Sequence, residues 1–103
     1  MKIIEIMDRN LLVIEQLLDV WESSVKATHL FLNENEIENI KKYVPQALRK
    51  IPHLIIIENE NQIPAGFMGI IEQHLKILFI SDEERGKGLG KELLKVWIRK
   101  ILC

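Results

Sequence analysis

Cysteine is almost absent from this sequence: of 103 residues only Cys103 is one. An internal disulfide and a cluster of thiolate metal ligands are therefore excluded, and a reducing, cytoplasmic setting is the expected one. Long apolar runs are missing too. Nothing approaches the roughly 18 residues a membrane span requires, so no membrane association is expected. The opening MKIIEIMDRN carries an acid at Glu5 and no small-residue cleavage site, and reads as a strand instead of a signal peptide. Charge of one sign is lacking, since the formal net charge is -1, which gives the chain no general attraction for nucleic acid or acidic lipid. Aromatics make up 6%, and none interleave with basic residues in the manner of a nucleic-acid surface. Repeats, low-complexity tracts and linkers are absent as well. One domain, 1–103, is the expectation, and at this length about two-thirds of the unfolded surface is buried on folding without help from a disulfide or metal.

What is present is strong hydrophobic periodicity. Residues 2–7 predict a strand, and Asp8 is placed to cap a helix whose apolar positions are Leu11, Ile14, Leu18, Trp21 and Val25, ending near WESSVKATH. Asn33 and Glu36 form a capping-box pattern before Ile37, Ile40, Val44, Ala47 and Leu48, a second helix that Pro45 must kink or divide and Pro52 closes. Residues 54–58, 65–72 and 75–80 are short isoleucine-rich segments that predict an antiparallel meander. A last helix starts near Gly88, with Leu89, Leu93, Trp97 and Ile101 on one side. The fold class is α/β (α+β) in the order β-α-α-β-β-β-α.

Glycine is scarce, five in all, yet Gly86, Gly88 and Gly90 crowd into ERGKGLGKELL. Each glycine near a helix costs roughly 1 kcal/mol relative to alanine, so the stretch needs a reason. Lying between a strand and a helix start, it offers free amides and the positive end of the helix dipole to an anion, a phosphate above all. The alternative is a turn that only ends the strand. The P-loop does not fit, because Lys91-Glu92 follows the last glycine, and G-x-G-x-G is not the dinucleotide spacing. Residues 85–100 hold Arg85, Lys87, Lys91, Lys95, Arg99 and Lys100 against Glu92 alone, which sets positive charge beside the glycines.

Arg85-Gly86-Lys87-Gly88-Leu89-Gly90 resembles the R/Q-x-x-G-x-G/A signature of the GNAT superfamily of N-acetyltransferases, with LKILFIS ahead of it and ELL behind. The element order resembles the amino-terminal two-thirds of the GNAT fold, of the small bacterial type, and WESSVKATHLFL is similar to the region between its first two helices. The resemblance implies an N-acetyltransferase that moves acetyl from acetyl-CoA, as cosubstrate and without a metal, to the amine of a small molecule or protein. A CoA-binding module without catalysis is the alternative. It implies that the main chain of Arg85, Gly86, Lys87, Gly88, Leu89 and Gly90 holds the pyrophosphate, and that Leu78, Phe79 and Ile80 pair with the pantetheine arm. Thr28, His29 and Phe31 would line the acceptor side. Complete members of the superfamily continue through further strands and a helix that commonly bears a tyrosine acid. This sequence reads as carboxyl-terminally truncated before them, and its one tyrosine, Tyr43, does not match that position.

Direct attack of an amine on a thioester calls for a base, and Glu72, at the end of the segment 65–72, is the candidate. His53 and His74 fall in turns and read as surface residues. Strand 75–80 would lack a neighbour on one side, so a homo-oligomer through that edge is expected.

Overall fold

The computed structural model describes residues 1–28 and 31–102. Chain order is β1 (Lys2–Glu5), α1 (Leu11–Thr28), α2 (Glu34–Lys41), α3 (Val44–Lys50), β2 (His53–Glu58), β3 (Pro64–Ile71), β4 (His74–Ile80), a 3-10 turn (Asp82–Glu84) and α4 (Leu89–Leu102). The strands form one antiparallel sheet in the order β1-β2-β3-β4, the expected meander with β1 added beside β2.

Two helical layers cover the sheet, and strand alternation divides the core between them. Leu54, Ile56 and Phe67 pack with Ile14, Leu17, Val20 and Trp21 of α1 and with Ile37 and Leu48. Ile55, Ile57, Met68 and Ile70 pack on the opposite face with Leu89 and Leu93 of α4. Leu75 and Ile77 break the alternation: two residues apart, they join different layers. The cause is a bulge, for Gly69 pairs with Ile77 while Ile70 pairs with Leu75, leaving Lys76 over. Beyond it Phe79 lies against Phe67, ring centroids 5.6 Å apart.

Several local expectations need correction. Strand β1 ends at Glu5 and not at residue 7. Asn10, not Asp8, caps α1: its Oδ1 accepts the Val13 amide at 3.0 Å, while Asp8 accepts from the Asn10 side chain. The buried face of α1 is rotated toward Leu17 and Val20, and Leu11 is exposed. Helix α1 ends at Thr28, within the stretch WESSVKATH where its end is expected. The second helix is divided, as Pro45 allows. Tyr43 N donates to Ile40 O at 2.9 Å where α2 closes, and Pro45 takes the first turn of α3, where its missing amide costs nothing. The capping box forms as read, Glu36 N to Asn33 Oδ1 at 2.8 Å and Asn33 N to Glu36 Oε1 at 3.0 Å. Strand β3 ends at Ile71, which leaves Glu72 outside it.

No pattern in the sequence announced Arg9. Its guanidinium donates to the carbonyls of Leu48 (2.9 Å), Arg49 (3.1 Å), Ile51 and Pro52 (3.3 Å). It thereby satisfies the open carboxyl end of α3, where a helix leaves its last carbonyls without partners.

Candidate acyl-donor cleft

The glycine turn and the end of β4 meet in a cleft of about 440 Å3, lined by Ser24, Thr28, Leu78, Phe79, Ile80, Glu84, Arg85, Gly86, Gly88, Leu89 and Gly90. Three elements build it. Strand β4 supplies one wall, the last two turns of α1 another, and the start of α4 the floor.

The floor owes its shape to Gly86 and Gly88, at φ 82° and 77°. That left-handed region costs a side-chain-bearing residue about 1–2 kcal/mol. A Cβ at either would meet nothing within 4 Å, so the glycines answer to backbone conformation and open space, not to internal crowding. Glu92 N donates to Gly88 O at 3.1 Å, which makes Gly88 the residue that caps α4. Having no side chain, it offers no oxygen to the amides of Leu89, Gly90 and Lys91, the donors a helix start leaves open. These amides and the dipole behind them suit an anion.

Two tethers hold the turn in place. On the α1 side, Ser23 Oγ accepts the Asp82 amide at 3.0 Å and lies 3.3 Å from Ser81 Oγ, while Ser81 N bonds Ala65 O at 2.8 Å. On the far side Glu84 accepts from Lys87 Nζ at 2.8 Å and from Asn59 Nδ2 at 3.5 Å. The Lys87 hydrogen bond, opposed in part by burial, holds the Glu84 carboxyl below its ordinary value, and the same bond raises Lys87. The cleft-lining carboxylate is thus balanced by an ammonium on the back of the turn.

Most residues singled out from the sequence converge here, Thr28, Leu78 to Ile80 and the turn among them. Others do not. Lys87 is absent from the cleft lining, and its side chain borders a smaller hollow with Asn59, Glu60 and Asn61. Glu72 sits in the β3–β4 turn at φ 51°, exposed. From His74, where β4 starts, to Ile80 the strand extends roughly 20 Å at about 3.3 Å per residue, so the Glu72 carboxylate does not face the cleft. Phe31 is 79% exposed and is not part of the lining. His29 lies outside the described residues. Ser24 and Glu84 were missed. Ser24 was legible in principle, because it falls three residues after Trp21 and four before Thr28 on one helical face. Among the described residues no group of three or more His, Cys, Asp or Glu side chains is placed to hold a metal ion, and no helix is long and apolar enough to cross a membrane.

A family model for an acetyltransferase (GNAT) domain matches residues 26–102. The chain belongs to the GNAT acetyltransferase family. Peptidyl-lysine N-acetyltransferase YjaB of Salmonella typhimurium is 33% identical to this GNAT chain over 81 residues, 79% of this chain and 55% of the relative. The solution structure of apo-form YjaB from Escherichia coli superposes with TM-score 0.82 at 31% identity, over 96% of this chain and 65% of that one. An aminoglycoside 6'-N-acetyltransferase complexed with coenzyme A shares the GNAT fold, with TM-score 0.66 at 18% identity over 99% of this chain and 56% of that one. The chain spans about half the length of the curated relatives it matches.

Proposed function

We propose that this chain forms the acetyl-CoA-binding part of an N-acetyltransferase whose acceptor is an amine, with the lysine side chain of a polypeptide as the favoured class. One juxtaposition carries the reading: a side-chain-free, positive-φ turn at a helix start opens into the same cleft as the end of an edge strand. A polyanion attached to an extended arm fits that pairing, the anion on the turn and the arm along the strand. The family match supports the donor, and the relative named as a peptidyl-lysine N-acetyltransferase supports the acceptor class.

Acetyl-CoA supplies an acetyl group already activated as a thioester. In this reading the amides of Arg85, Gly86, Lys87, Gly88, Leu89 and Gly90 hold the pyrophosphate. Leu78, Phe79 and Ile80 offer the main-chain groups that β3 does not take, for the arm and for the carbonyl oxygen on which charge develops. The apolar side chains of Leu78, Phe79, Ile80 and Leu89 line the cleft along the arm. Thr28, at the close of α1, stands at the acceptor side.

Calorimetric titration with CoA tests the donor half, and thiol release over a panel of lysine peptides and small amines tests the acceptor. Saturable one-to-one CoA binding is expected; no heat at millimolar CoA would overturn the donor reading. Preference for small amines over peptides would overturn the acceptor class.

The outer edge of β4 also motivates a homo-oligomer, in which a second copy covers the strand ahead of Leu78 and leaves Leu78 to Ile80 to the arm. Light scattering across a concentration series decides this, a 12.1 kDa species throughout being the refuting result.

A further inference from the structure

We infer that Ser24 on α1 is a donor-binding residue, its hydroxyl hydrogen-bonding the polar pantetheine arm of CoA opposite β4. The inference rests on the acetyl-CoA reading above and adds to it a side chain from a different wall of the cleft.

Adjacent serines on α1 behave differently. Ser23 is committed inside the protein, to Ser81 and to the Asp82 amide. Ser24 is 5% exposed and lines the cleft, yet among the described residues its hydroxyl has no hydrogen-bond partner. A helical serine ordinarily turns back onto the carbonyl one turn earlier. Here the bond of that kind belongs to Thr28, whose Oγ1 donates to Ser24 O at 2.7 Å. No side-chain nitrogen or oxygen among the described residues is sealed from solvent without a partner, so the Ser24 hydroxyl keeps some contact with solvent and is open to a ligand group in the cleft it lines. The β4 wall of the cleft is apolar, with Leu78, Phe79 and Ile80, while the other polar side chains of the lining are Thr28, Glu84 and Arg85. A ligand polar at this point would replace solvent as the partner of that hydroxyl.

Position selects which part of the ligand. Ser23 touches Ser81 and Asp82, immediately after β4, so its neighbour stands beside the strand end and before the glycine turn. A donor with its pyrophosphate on the turn and its arm along β4 brings the hydroxyl and amide groups of the arm past Ser24. The phosphates lie further on.

Isothermal titration of wild type, Ser24→Ala and Ser24→Cys with CoA and with 3',5'-ADP, which keeps the phosphates and lacks the arm, tests this. Removing one hydrogen bond should weaken CoA binding by the alanine variant about five- to tenfold, with 3',5'-ADP unchanged and the cysteine variant between. Thermal melting of Ser24→Ala should match or exceed wild type, since no internal bond is lost. Equal CoA affinity for all three chains overturns the inference alone. An equal loss for both ligands, or a clearly lowered melting temperature, overturns it by making the hydroxyl structural. Failure of the wild type to bind either ligand overturns the donor reading and this inference with it.

Discussion

The hydroxyl of Ser23 accepts the main-chain amide of Asp82 at 3.0 Å. That bond joins the later half of α1 to the first residue after the Ser81 corner, and Asp82 opens the segment that leads into the glycine turn. A helix on one face of the sheet thus fixes where the glycine turn begins. Ser23→Ala should lower stability by about 1 kcal/mol, the usual contribution of one such bond. It should also weaken CoA binding, because the turn loses an anchor. Chemical denaturation and calorimetry on the same variant read both effects, and unchanged CoA affinity would show that the tether does not position the loop.

Gly88 sits at φ 77° with open space where a Cβ would project, so substitution strains the backbone without internal collision. Gly88→Val should cost about 1–2 kcal/mol and reduce CoA affinity at least tenfold. Gly88→Asn tolerates the left-handed region better and should recover most of the stability while still obstructing the anion. Melting temperature and CoA titration separate the two effects. Full CoA affinity in both variants would remove the turn from the site.

Glu22 on α1 accepts from Lys41 on α2 at 2.8 Å and lies 3.1 Å from Lys26. The Lys41 hydrogen bond, with burial opposing it, keeps the Glu22 carboxyl below its ordinary value. A carboxyl lowered in the folded state stabilises fully above its unfolded value near 4.3, and the contribution is lost as pH falls through the folded value. Glu22→Gln should therefore cost about 1 kcal/mol at pH 7 and nothing near pH 2. Denaturant midpoints of both chains across that range check it, and parallel curves would refute the pairing.

Arg9 spans about 40 residues of sequence to reach the carboxyl end of α3. Arg9→Met keeps the apolar stem and removes the donors, and should destabilise the fold by about 2 kcal/mol. Arg9→Lys restores the charge without the planar fork and should recover less than half. Urea unfolding measures both, and a lysine variant equal to wild type would mean that charge alone suffices.

Local pattern determined much of this protein. Short isoleucine-rich runs located the meander strands and period-3.6 hydrophobicity the helices, Asn33 and Glu36 marked a helix start three residues apart, and the glycine run marked the start of α4. Each signal works because the interacting groups are neighbours in the chain. Tertiary structure decided the rest. How far α1 runs into WESSVKATH, to Thr28, depends on its packing against the sheet, since the residues themselves are neutral to helix formation. Which side of α1 is buried, Leu17 and Val20 in place of Leu11, depends on where the strands lie beneath it. Glu72 reads as a strand end until pairing sets the turn at residues 72 and 73, and pairing also sets the bulge that shifts Ile77 to the other layer. Ser23 and Ser24 look alike in sequence. They differ only because Asp82, 59 residues away from Ser23, reaches one of them and leaves the other facing the cleft.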